Sequence, residues 1–285
     1  MTSRPYIRPE LLVESEWLIE HLTDEDLLIV DCDLPDAYNR AHIPGSVNLG
    51  GNHHLKEEEN VHVMSKNTAE SLFSTMGLGK DTKVVAYSGR FSVYAARLWW
   101  VLSYFGHHNA SILNGGWTAW LNDRRPITDT PTTKSKSLLQ ATSNNTSFEP
   151  FEPVINHDLI ASSDQLLEAQ LKPGTLIWDV RSSEEFNGGN SRGNKNEGHV
   201  PGAFNLEWSG LMDIESGKFK TSDAIYDLLL KNEINRGRPI ITYCQAGVRA
   251  AHAMFTLTLM GYGSVKNYDA SFAEWGNVDG FPIEK

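Results

Sequence analysis

The residue best suited to chemistry in this 285-residue chain is Cys244. It follows the apolar, β-branched run PIITY (239–243) and precedes Gln245, Ala246, Gly247, Val248 and Arg249, where a helical pattern starts. A run of this kind, then a glycine-bearing loop, then a helix, predicts a strand–loop–helix unit. In a parallel α/β sheet, ligands meet the chain at the carboxyl ends of strands. A loop entering a helix aims several backbone N–H groups at one point, and the helix dipole adds positive potential there. A thiol at that point ionises more readily than a free one, and the thiolate is the nucleophile. Gly247 lets the backbone curl tightly round the sulfur. Cys244 is therefore expected to react, with the five residues after it receiving an anion.

The only other cysteine, Cys32, ends the strand-like run LLIVD without a glycine-bearing loop, so packing is expected of it. Two cysteines far apart form no disulfide framework, and neither lies at zinc spacing. No metal site is expected, and a reducing, cytoplasmic setting is.

The elements that position Cys244 occur twice. Residues 27–49 (LLIVDCDLPDAYNRAHIPGSVNL) parallel 175–206, and KVVAYSGRFSVYAARLWW (83–100) parallels PIITYCQAGVRAAHAMFT (239–256). SILNGGWTAW (111–120) parallels SVKNYDASFAEW (264–275). Asp31 lies 148 residues before Asp179, His42 157 before His199, Ser88 156 before Cys244 and Trp120 155 before Trp275. One register thus runs through the chain, with nine extra residues in the second copy, in NGGNSRGNKN (187–196). Their Gly and Asn content predicts a surface loop. Where the second copy has Cys244 the first has Ser88, which suggests one working and one scaffolding half.

Each copy alternates strands with helices, the latter including SVYAARLWWVLSYFG and RAAHAMFTLTLMG, each stopped by a glycine. That pattern predicts an α/β fold with parallel sheets flanked by helices. The expected organisation is a first domain over 1–128, a Ser/Thr/Asn-rich linker over 129–150 and a second domain over 151–285. Acidic residues number 36 against 25 basic, a net charge of −11, which disfavours nucleic acid and anionic membranes as partners. No apolar run approaches the ~20 residues of a membrane span. The N-terminus lacks the apolar core of ~7–15 residues that a signal peptide needs.

The duplicated HIPG and HVPG turns, the Tyr-Cys-x-x-Gly-Val-x-Ala loop, DVRSSEEF and YDASFAEW resemble the two-domain rhodanese family, from about Leu11 to Ile283. That family comprises thiosulfate and 3-mercaptopyruvate sulfurtransferases. The resemblance implies two tandem rhodanese-like domains, each with a central five-stranded parallel sheet, the first inactive and the second carrying the catalytic cysteine near the cleft. It implies a double displacement. Cys244 takes a sulfane sulfur from a small-molecule donor as a persulfide, then passes it to cyanide, a thiol or a reduced thioredoxin. No cofactor is implied. A monomer is expected.

Thiosulfate enzymes of the family commonly continue Arg-Lys-Gly-Val-Thr after the cysteine, and mercaptopyruvate enzymes Gly-Ser-Gly-Val-Thr. Gln-Ala-Gly-Val-Arg matches neither, and is closer to a subset of thiosulfate enzymes with Arg in the last place. Thiosulfate is the favoured donor and 3-mercaptopyruvate the alternative; a persulfide carrier without turnover is a further one. Arg249 either braces the loop or faces the donor. Arg192, seven residues before His199, matches one donor-binding arginine of mercaptopyruvate enzymes. The second such position falls on Glu185, whose charge would repel a dianion; Arg181 is the nearest substitute. Four residues separate Cys244 from Arg249, one fewer than in the related cysteine phosphatases, which suits sulfane sulfur better than phosphate. His42, His199, Asp31 and Asp179, being paired between copies, are expected to be structural, and Trp99, Trp100, Trp117, Trp120, Trp208 and Trp275 to pack. Lys56–Glu59 is expected to be a solvated loop.

Overall fold

The computed structural model describes residues 4–132, 149–171 and 174–285. Most of the expected linker, 133–148, lies outside the described residues.

In the N-terminal half the strands are β1 (Leu12–Val13), β2 (Leu27–Asp31), β3 (Val47–Asn48), β4 (Lys83–Tyr87) and β5 (Ala110–Leu113). Its helices are α1 (Ser15–His21), α2 (Pro35–Arg40), α3 (Lys66–Met76), α4 (Val93–Tyr104) and α5 (Gly116–Asn122). The C-terminal half has β6 (Leu176–Asp179), β7 (Phe204–Asn205), β8 (Ile240–Tyr243) and β9 (Val265–Asn267). It carries α6 (Ser163–Leu171), α7 (Ser183–Phe186), α8 (Ser222–Lys231), α9 (Val248–Leu259) and α10 (Ser271–Trp275).

The first sheet runs β1-β5-β4-β2-β3 and the second β7-β6-β8-β9, every pairing parallel. Asp31 stands beside Tyr87 and Asp179 beside Tyr243, so both halves keep one register. The second sheet departs from the expected five strands. Among the described residues it has four, and only a single bridge, Ile160 to Asn267, occupies the place that β1 fills in the first.

β2 and β8 are buried at every position, as their unbroken β-branched runs require. α4 and α9 are buried nearly all round, which an amphipathic surface helix would not be. They pack on each other across the seam between the halves, Trp99 meeting Phe255 edge-to-face at 5.0 Å. Each is closed by a glycine with positive φ, Gly106 and Gly261, and the next residue's N–H returns to the last turn at 2.8 and 2.9 Å. The result is a core cluster shared by both halves, beside a smaller one within each half. No helix of the described residues is long and apolar enough to cross a membrane.

The paired residues prove structural in both copies. His42 Nδ1 meets the Tyr38 carbonyl at 2.8 Å and His199 Nδ1 the Phe186 carbonyl at 2.9 Å, each ring stacked on that aromatic neighbour. Asp31 accepts from the Asp33 N–H and Asp179 from the Arg181 N–H, both at 2.9 Å. Trp120 and Trp275 donate to the carbonyls of Pro126 and Pro282. The other tryptophans are buried or half-buried, as expected.

Candidate active site

β8 delivers Cys244 to the carboxyl end of the second sheet, and α9 starts four residues later at Val248. Gly247 caps the helix at φ 72°, and a Cβ there would lie 2.5 Å from both the carbonyl and Oδ1 of Asp269. Only glycine passes that point unstrained. Gln245 and Ala246 are half-buried, Gly247 and Val248 buried, and Cys244 itself is 1% exposed.

The amides of Cys244 and Gly247 do not aim at the sulfur as expected. Both donate to Ser271 Oγ, at 3.1 and 3.0 Å, and that hydroxyl in turn lies 4.0 Å from Cys244 Sγ. Ser271 heads α10 with φ 56°, and its hydroxyl donates to the Tyr268 carbonyl at 2.7 Å. Two amides at the loop are thus taken by a hydroxyl. Among the described residues, the amides of Gln245, Ala246, Val248 and Arg249 have no protein acceptor. They are the loop donors left for an incoming anion.

Arg249 braces, but not by the loop carbonyls. Its Nη1 and Nη2 grip Glu185 of α7 at 2.7 and 2.8 Å, a bidentate pair. Glu185 is buried, which alone would raise its pKa, yet the guanidinium lowers it to about 2. Arg192 Nε approaches the same carboxylate at 3.9 Å from an exposed position with φ 52°. The carboxylate that sequence reading set against a dianion is therefore neutralised within the protein.

Arg181 departs from the expected donor contact. Its side chain is 1% exposed, its Nε lies 3.0 Å from both oxygens of Asp179, and its Nη2 reaches Asp179 Oδ2 at 2.6 Å and the Gly198 carbonyl at 2.8 Å. Its guanidinium also stacks 4.0 Å from the Phe272 ring. Those contacts tie the end of β6 to the turn before His199 and leave it facing inward.

Two features lie outside what the sequence predicts. The nine extra residues fold back on the loop: Asn194 and Gln245 exchange side-chain amide hydrogen bonds, each 3.0 Å. Second, Lys56 is buried rather than solvated, while Glu58 and Glu59 of that run are exposed. Its ammonium donates to the carbonyl and to Oδ2 of Asp269, each 3.1 Å, and to the Val61 carbonyl. Arg97 of α4 pairs with the other oxygen of Asp269 at 2.5 Å. A signal for Asp269 lay in the repeat. Asn114 to Asn267 is 153 residues and Trp117 to Phe272 is 155, so two residues are added within 268–271, the stretch that holds Asp269 beside the cysteine loop.

The first half offers no such setting. Ser88 is fully buried and accepts from the Ala95 N–H at 3.4 Å. Asp33 replaces Arg181 and accepts from the Gly89 N–H at 2.6 Å. A cavity of about 360 Å³ at that sheet end is lined by Asp31, Asp33 and Trp117 among others, and burial pushes Asp31 up to about 6. Two carboxylates there disfavour an anion. Cys32 is fully buried between them, and burial followed by their charges pushes its thiol well up.

A sequence model of the rhodanese-like domain matches residues 14–123 and again 162–277. A thiosulfate sulfurtransferase of Corynebacterium glutamicum is 31% identical over 98% of this chain and 92% of its own. The sulfur carrier protein TtuD of Thermus thermophilus is 30% identical over 98% of each. Among solved structures, the anaerobic ergothioneine biosynthesis enzyme of Chlorobium limicola superposes with a TM-score of 0.84 at 22% identity, over 98% of this chain and 71% of that one. That likeness speaks to the fold.

Proposed function

We propose a specific reaction for this chain, which belongs to the rhodanese-like domain family and whose kin support a sulfurtransferase: transfer of the outer sulfur of thiosulfate to a thiophilic acceptor through a Cys244 persulfide. The observation that carries the reading is the difference between the two sheet ends. One presents a cysteine with unfilled loop amides and nearby cations, the other a buried serine at a sheet end whose cavity is lined by Asp31 and Asp33.

The Cys244 thiolate attacks the outer sulfur of thiosulfate. A sulfur–sulfur bond to the enzyme forms as the one in thiosulfate breaks, and its electron pair leaves on sulfite. The persulfide then carries the negative charge on its terminal sulfur, against the amides of Gln245, Ala246, Val248 and Arg249. Cyanide or a thiolate attacks that sulfur and returns Cys244 as thiolate. Arg192 is the arginine assigned to the donor's sulfonate end, being exposed and held only loosely by Glu185. Arg249 holds the loop.

Intact mass after incubation with thiosulfate tests this. A gain of one sulfur atom that is lost in Cys244→Ser and kept in Cys32→Ser is expected; no gain, or loss in both variants, overturns it. A persulfide carrier is a second reading, favoured by the depth of Cys244 and by the relative named a sulfur carrier. It predicts the same mass gain with little thiocyanate formed from cyanide.

A further inference from the structure

The half that carries serine in place of Cys244 sends two cations into the half that carries the reactive cysteine. Lys56 and Arg97 close on Asp269 with side chains 1%, 0% and 2% exposed. Two positive charges against one carboxylate leave this buried trio with one unit of positive charge uncompensated within it. Burying such an excess costs several kcal/mol unless an anion lies close. The neighbour is the cysteine loop itself, since Asp269 presses against Gly247 through both its carbonyl and its carboxylate. Of the other charges near the loop, Arg181 pairs with Asp179 and Arg249 with Glu185, whose carboxylate the exposed Arg192 also approaches at 3.9 Å. Ser271 contributes a neutral hydroxyl.

We propose that Lys56 is a positioning residue supplied by the N-terminal half, whose buried charge, relayed beside Asp269, is the counter-ion that holds Cys244 as thiolate. The ammonium has spent its three hydrogens on the Asp269 carbonyl, the Asp269 carboxylate and the Val61 carbonyl. None is left to touch the sulfur or a donor, so Lys56 acts through its field. A negative sulfur completes the cluster to neutrality: two cations, one carboxylate, one thiolate. Burial brings the Lys56 pKa down to about 8; Asp269 opposes that fall, Arg97 adds to it, and Cys244 opposes it least. Burial likewise works against the charge on Arg249, and Glu185 and then Cys244 outweigh it. The seam between the halves is thereby part of the site.

The proposal rests on the reading above only in taking Cys244 as the reacting group. Its test needs no sulfur donor, so the two can fail separately. The rate at which iodoacetamide alkylates Cys244 is followed against pH in the full-length protein, by peptide mass mapping. The amplitude of that curve reports access to the sulfur, and its midpoint reports the charge around it. Lys56→Met keeps the length of the side chain and removes the charge; the midpoint should rise by about one pH unit, a roughly tenfold slower reaction at pH values below it. Asp269→Asn keeps the shape and removes the opposing charge; the midpoint should fall. A merely structural role would move both variants the same way, or change amplitude alone, and either outcome overturns the proposal. Should Lys56→Met fail to fold, Asp269→Asn decides by itself: a midpoint unmoved or raised refutes the counter-ion role.

Discussion

Glu185 gives the sharpest test of how the loop is held. Its carboxylate lies 2.7 and 2.8 Å from the two terminal nitrogens of Arg249, and its pKa falls from 4.5 to about 2. A drop of roughly 2.5 units corresponds to about 3 kcal/mol favouring the charged form in the folded state. The Arg249 side chain is 21% exposed, so solvent screening reduces this to about 2 kcal/mol. The sign follows from the direction of the shift. A carboxylate whose folded pKa is depressed contributes its full stability above about pH 4.5 and loses it as pH falls towards about 2. Glu185→Gln removes the titration while keeping a side chain that can still accept from the Ser182 N–H. The variant should be less stable than wild type by about 2 kcal/mol at neutral pH, and the gap should close as the pH falls through that window. Urea midpoints measured at a series of pH values give both curves. Parallel curves, with a constant gap down to about pH 2, would show that the ion pair does not carry this stability.

Two further outcomes follow from the same geometry. Gly247→Ala places a methyl 2.5 Å from the Asp269 carbonyl and carboxylate at φ 72°, a conformation costing about 1–2 kcal/mol before the clash is relieved. The thermal midpoint should fall by several degrees and thiosulfate-dependent mass gain should drop sharply; a variant with native midpoint and full mass gain would refute the close approach. Under native conditions near neutral pH, Cys244 should be alkylated before Cys32 although both are buried, because carboxylates flank Cys32 while cations neighbour Cys244. Peptide mapping showing the reverse order would sink the electrostatic contrast.

What sequence could and could not show divides along a physical line. The repeat, the parallel sheets, the glycine stops at Gly106 and Gly261 and the packing of the tryptophans were all readable, because each is written in local periodicity or in one copy's match to the other. The position of Cys244 was readable for the same reason: strand, glycine loop and helix are adjacent in the chain. The partners of its neighbours were not. Arg181 looked available for an anion because it follows a strand end, yet a carboxylate two residues away, Asp179, holds it inward. Glu185 looked repulsive because Arg249, its partner, is 64 residues distant. Lys56 looked solvated among glutamates, since nothing near it in sequence says that Asp269, 213 residues on, awaits its charge. The repeat comparison nevertheless held a trace of that last contact in the two residues added within 268–271. An insertion confined to the half with Cys244 marks chain that the other copy folds without, and such chain is where the chemistry of one copy can diverge from the scaffold of the other.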